Sequence, residues 1–125
     1  MAASLLVIDD EPDIAQFIGA VAEGLGYEVS VTTDAHEFKK AYHARKPLVV
    51  VVDVVVPNVD GIELVKFLAE GGCDARVLVI SGYAERYLDN TTTLGEAFGI
   101  SSITSMKKPL ELTAMEAFLA ADGQP

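Results

Sequence analysis

A doubly wound α/β fold, a parallel sheet with helices on both faces, is predicted from three observations. Apolar runs alternate with helix-period segments five times along the 125 residues. The run Leu48-Val49-Val50-Val51-Val52 is apolar at every position, as in a strand buried on both faces. The connections between segments are short, which suits right-handed strand–helix–strand crossovers.

Strands are expected at 4–8, 27–31, 48–52, 76–80 and 100–105. After the first, Ile14, Phe17, Ile18, Val21, Ala22 and Leu25 recur at helical spacing, with Pro12 suited to a first helical position and Gly26 to a stop. Asp34 and Glu37 resemble a capping box for a second helix that buries Phe38, Ala41 and Tyr42. A third helix reads from Gly61, with Ile62, Val65, Leu68 and Ala69 on one face, and stops at Gly71-Gly72. The last follows Pro109, with Leu112, Met115, Phe118 and Leu119 inward. Between 83 and 98 helical spacing competes with the β-branched run Thr91-Thr92-Thr93, so a broken element is expected. Five such strands suit the flavodoxin-like order 2-1-3-4-5 in one domain spanning 1–125, with a core of about 4–121 and no output domain.

The bulk properties narrow the function. Half of the residues are apolar, which excludes a disordered chain. A net charge of −10 argues against direct nucleic-acid binding, which needs Lys and Arg for phosphate contacts. It fits a soluble cytoplasmic protein. No apolar run reaches membrane-spanning length, and Asp9 comes too early for a signal peptide. The lone Cys73 has no disulfide partner and no metal-ligand spacing around it.

Open α/β sheets bind ligands at the carboxyl ends of their strands. Asp9-Asp10-Glu11 follow the first strand, Asp53 the third, Ser81-Gly82 the fourth and Lys108-Pro109 the fifth. Carboxylates of Asp10 and Asp53 suit Mg²⁺, and a loop carbonyl such as that of Val55 could complete the protein's share. Asp53 could attack a phosphoryl group. Ser81 could hydrogen-bond a phosphoryl oxygen, and Lys108 could neutralise its charge. Taken singly, each has a plainer meaning: helix N-terminal acids, a turn at Pro57 and Asp60-Gly61, a surface lysine. Four such features at four strand ends are hard to obtain by accident.

Together Asp9-Asp10-Glu11, Asp53 with Pro57 and Asp60-Gly61, Ser81-Gly82 and Lys108-Pro109 resemble the receiver domain of bacterial two-component response regulators, from Ser4 to about Leu119. The resemblance implies that Asp53 accepts phosphate from a sensor histidine kinase or histidine phosphotransfer protein. It implies Mg²⁺ on Asp10, Asp53 and the Val55 carbonyl, with Asp9 assisting. It further implies that Ser81 and Lys108 sense the phosphoryl group, that the Lys108–Pro109 peptide is cis, and that the domain catalyses no reaction beyond its own phosphorylation and dephosphorylation. An output protein or domain, and a phosphorylation-dependent dimer, belong to the same expectation.

Two departures stand out. Receivers usually carry Tyr or Phe three residues before the lysine, and here that position is Ser105. The segment from Ser81 to Lys108 is also longer than usual, and its end at Gly99-Ile100 resembles receivers attached to EAL-type cyclic-di-GMP phosphodiesterases. Three other readings compete. A haloacid-dehalogenase-type phosphatase would place its nucleophile after the first strand in an Asp-x-Asp pattern, which Asp9-Asp10-Glu11-Pro12 lacks. An FMN binder would want a Ser/Thr/Gly-rich loop where this acidic cluster stands. A pseudo-receiver that is never phosphorylated would be expected to have lost acceptor residues that are intact here.

Overall fold

A computed structural model describes residues 3–9, 11–53, 61–71, 74–81, 96, 99–100 and 102–120. The expectations placed on Asp10, Val55, Pro57, Asp60, Gly72, Cys73, Gly82 and the Thr91-Thr92-Thr93 run lie outside these residues. In chain order the elements are β1 (Ser4–Ile8), α1 (Pro12–Gly24), β2 (Glu28–Thr32), α2 (Ala35–Ala44), β3 (Val49–Asp53), α3 (Gly61–Glu70), β4 (Arg76–Ser81), β5 (Ile103–Lys107) and α4 (Leu112–Leu119). All five strands are parallel, in the order β2-β1-β3-β4-β5. This is the expected doubly wound topology, and its order reverses beside β1 and β3, where ligand crevices form.

Alternating residues divide the core between the two faces. Leu6, Ile8, Val50, Val52, Val77 and Val79 pack with Phe38 and Tyr42 of α2 and Leu64, Val65 and Leu68 of α3. Leu5, Val7, Val49, Val51, Leu78 and Ile80 pack with Ile18 and Ala22 of α1 and Met115 and Leu119 of α4. The inner strands β1 and β3 are buried throughout, whereas β2 and β5 are largely open. Each fully buried Val, Leu or Ile contributes about 1.5–3 kcal/mol, so the inner strands supply the rigid platform. At the opposite sheet edge the end of α4 is tied down. The Tyr27 hydroxyl donates to the Leu119 carbonyl (2.7 Å) and Arg76 Nη2 to the Phe118 carbonyl (2.5 Å).

Several boundaries differ from expectation. β2 and β3 each begin one residue later than hydropathy indicates: Tyr27 is buried ahead of the ladder, and half-buried Leu48, whose N–H donates to the Ser4 carbonyl, stands just before the paired residues. β3 therefore includes Asp53, paired in register with Ile80, and β4 extends to Ser81. β5 starts at Ile103, not at Ile100. Ile100 is buried against the α2–α3 face, but it follows Gly99 with φ +106°, a lead-in that turns the chain before pairing starts. Leu64 is a buried residue of α3 that the helical reading omitted. Leu112, expected inward, is 52% exposed. It lines a hollow of about 410 Å³ with Phe17, Val21 and Leu25 between α1 and α4, while Met115 and Leu119 fill the core.

Candidate functional site

Strand parity brings the chemistry to one face of one edge. Asp9 continues the alternation of Leu5 and Val7, Asp53 that of Val49 and Val51, and Lys108 that of Met106. All three emerge at the carboxyl edge on the α1–α4 face. The Asp9 N–H extends the ladder by donating to the Thr32 carbonyl (3.1 Å), and the Thr32 hydroxyl donates to the Val7 carbonyl (2.8 Å). Lys108 enters from the end of β5 through a cis Lys108–Pro109 peptide, as the sequence resemblance implies.

Lys108 Nζ lies 3.0 Å from Asp53 Oδ2, 3.5 Å from Asp9 Oδ2 and 2.5 Å from Glu11 Oε1. Asp9 and Asp53 are both buried. One oxygen of Asp9 accepts the Glu11 N–H (2.9 Å), while the other is buried without a hydrogen-bond partner. Burial, the largest cause, and the adjacent Asp53 charge push the Asp9 carboxyl up to about 6, against the Glu11 hydrogen bond and the Lys108 charge. Burial alone would lower the Lys108 ammonium. Its hydrogen bonds to Glu11 and Asp53, with the charges of Asp53 and Asp9, outweigh that and hold it above the ordinary lysine value.

One ammonium thus serves three carboxylates, and carboxylate oxygens of Asp9, Glu11 and Asp53 all lie within 4.8 Å of one another. A hard divalent cation fits this donor set. It prefers carboxylate oxygen, it would meet the orphaned Asp9 Oδ2, and it would offset negative charge that Lys108 leaves uncompensated.

The structure brings together Asp9, Asp53 and Lys108 of the residues named from sequence. Ser81 ends β4 at the same edge, in register with Lys107. Asp10 and Val55 lie outside the described residues. Glu11 was missed as a member of the cluster. Pro12 at the first helical position makes Glu11 the N-cap, yet its side chain makes no cap hydrogen bond and goes to Lys108 instead, which the sequence alone does not signal. Ser105 sits in β5 opposite Val79, so no aromatic ring occupies that position.

The sequence model described as response regulator receiver domain matches residues 5–119. The alkaline phosphatase synthesis transcriptional regulatory protein PhoP of Bacillus subtilis is 32% identical over 87 residues, 70% of this chain and 36% of that protein. The chemotaxis protein CheY of Treponema pallidum is 32% identical over 114 residues, 88% of this chain and 79% of that one. A crystal structure of a response regulator from Burkholderia pseudomallei, with a phosphorylated aspartic acid, calcium ion and citrate, superposes with a TM-score of 0.75 at 28% identity. It covers 90% of this chain and 64% of that one. The chain spans between 18% and 36% of the length of three curated regulators that it matches.

Proposed function

This chain belongs to the response regulator receiver family, a family of signalling modules of two-component systems, and on that premise we propose that Asp53 is its phosphoacceptor. The single observation that carries the reading is the buried Asp53 carboxylate at the end of the central strand, 3.0 Å from Lys108 and beside the orphaned oxygen of Asp9. An oxygen of Asp53 bonds to phosphorus as the phosphorus–nitrogen bond of a phosphohistidine donor breaks. The imidazole nitrogen leaves with the bonding pair and takes a proton. The donor is a sensor histidine kinase or histidine phosphotransfer protein in the cytoplasm.

Asp9, Asp10, Asp53 and the Val55 carbonyl would hold Mg²⁺. When bound, the ion supplies positive charge that offsets the carboxylates and the incoming phosphoryl oxygens. Lys108 exchanges part of its pairing with Asp53 for a phosphoryl oxygen, and Ser81 hydrogen-bonds another. The Burkholderia regulator's phosphorylated aspartic acid and calcium ion support this arrangement. The phosphoryl group then drives a conformational change read by an output protein or domain, or by a phosphorylation-dependent dimer. Because Ser105 provides no ring to move inward, the lengthened 83–98 segment is the element biased by phosphorylation.

Incubation with acetyl phosphate and Mg²⁺ should add one base- and hydroxylamine-labile phosphoryl group, measured by intact mass. Asp53→Asn should take up none. Equal uptake by that variant, or uptake undiminished in excess chelator, would dismiss the assignment. Repeated release of phosphate from a phosphate ester would favour the phosphatase reading instead.

A further inference from the structure

Basic residues are densest on and just after α2. Residues 35–46 hold four of the nine Lys and Arg, both histidines and one acid, Glu37; the rest of the chain holds five basic residues and eighteen acids. At 100° per residue, Lys39, His43, His36 and Lys40 of α2 fall within one arc of about 100° opposite the buried Phe38 and Tyr42. All four are exposed, as is Lys46 just beyond the helix; Arg45 is exposed too but is paired with Glu28.

Local packing organises this face. Lys39 Nζ lies 5.3 Å from the Phe67 ring centroid, and the His43 ring meets Phe67 edge to face at 5.5 Å. Phe67 is itself braced by Phe38 and Tyr42. Glu37 does not neutralise the patch, because its carboxylate turns back to the Thr33 N–H and hydroxyl. Lysines tethered over an aromatic ring lose less freedom on binding than free ones.

We propose that the exposed face of α2 is a docking surface for a short acidic polypeptide segment of a partner protein. Charge complementarity selects the occupant. From His36 to His43 the Lys/His stripe runs seven residues, about 10 Å of helix, and its two ammonium groups, Lys39 and Lys40, match two carboxylates on one short peptide. A nucleic acid would extend beyond it, onto Asp34 and Glu37 at one end and Glu63 and Glu70 of α3 alongside, where its phosphates meet like charge. α2 packs on β1 and β2, whereas Ser81 ends β4 and Lys108 follows β5. Docking here is therefore independent of phosphorylation. It would hold a partner in place while the Asp53 end of the molecule switches.

The test uses the whole chain and a fluorescein-labelled peptide with three adjacent Glu or Asp and one Leu flanked by Gly and Ser, beside its Gln/Asn counterpart and a twelve-nucleotide single-stranded DNA. Anisotropy at low salt should show binding of the acidic peptide alone, weakened by added salt, with amide shift changes confined to α2 and its neighbours. Lys40→Glu with Lys46→Glu, both exposed positions, should weaken it by about tenfold or more. Asp53→Asn should leave it unchanged, which separates this surface from the phosphoacceptor assignment. Absent binding, binding unaffected by the double charge reversal in a variant with parental thermal stability, or tighter binding of the DNA would each overturn the proposal. So would a concentration-dependent dimer abolished by the same variant, which would make a second copy the occupant.

Discussion

Two helices start at the same sheet edge with the same kinds of residue and put them to opposite uses. α2 follows β2 with Thr33, Asp34 and Glu37, and there every carboxylate is absorbed locally. Asp34 accepts the Glu37 N–H at 2.8 Å, and Glu37 accepts the Thr33 N–H and hydroxyl. α1 follows β1 with Asp9 and Glu11, and there the backbone takes one oxygen only. The second oxygen of Asp9 is left buried without a hydrogen bond, 3.5 Å from Lys108, and Glu11, although the N-cap, also turns to Lys108. Acids near a helix N-terminus are ordinarily accounted for by capping and the helix dipole. That account is complete for α2. For α1 it leaves over a carboxylate pair and a lysine, and that remainder is the candidate site. An acid after a strand becomes a candidate for chemistry when the local backbone does not consume it.

The largest effect expected from this contrast comes from Lys108. Replacing it by Met leaves Asp9 and Asp53 buried beside each other without their ammonium. Loss of one partner of a buried ion cluster should destabilise the fold by roughly 3 kcal/mol at pH 7.5. Urea unfolding measures this directly. A loss below about 1 kcal/mol would mean that water or protons already neutralise the acids, and the site would then be no more strained than the start of α2.

Asp9→Asn should act with the opposite sign. Its carboxyl is pushed up from 3.8 to about 6, so the folded chain holds this proton more tightly than the unfolded chain does. Above pH 6 the charged form carries the full burial penalty, and removing the charge should stabilise the protein by about 1–3 kcal/mol without metal. As pH falls from about 6 towards 4 the parent takes up the proton and regains that stability, so the gap between variant and parent should close. Thermal unfolding of both between pH 4 and 8 tests it. A constant gap would show that Asp9 does not titrate in this window.

Asp34→Ala, the matching change at α2, should destabilise by about 1 kcal/mol, since it removes a cap and releases no repulsion. The sign difference between Asp34 and Asp9 is the sharper readout. If both variants lose stability, α1 is capped as α2 is.

Much of this was legible beforehand, for physical reasons. The topology follows from apolar runs and their spacing, and the acidic edge from where those runs end. Strand boundaries were less legible, because hydropathy reports burial and pairing begins elsewhere: Tyr27 and Ile100 are buried but outside the ladder. The outward position of Leu112 was not legible either, since helical spacing places it near Met115 and its exposure depends on the hollow that it lines between α1 and α4. The role of Glu11 was hidden because Asp-Asp-Glu before a proline reads equally well as a capped helix start. Distinguishing the two needs the position of Lys108, nearly a hundred residues away in sequence.

The smallest effect expected is at Glu11 itself, and it decides how far the contrast between the helix starts extends. The Glu11 side chain is 58% exposed, so its ion pair with Lys108 is screened by water even at 2.5 Å. Glu11→Gln should change stability by no more than about 0.5 kcal/mol. It should also leave α1 intact, because the backbone cap is made by Asp9 and the first helical position by Pro12. Lys108 keeps Asp53 and Asp9 as partners, so acetyl phosphate should still phosphorylate the variant. A stability loss near 2 kcal/mol with unchanged phosphorylation would make Glu11 a structural cap after all. Unchanged stability with lost phosphorylation would place it among the residues that build the reactive edge, alongside Asp9.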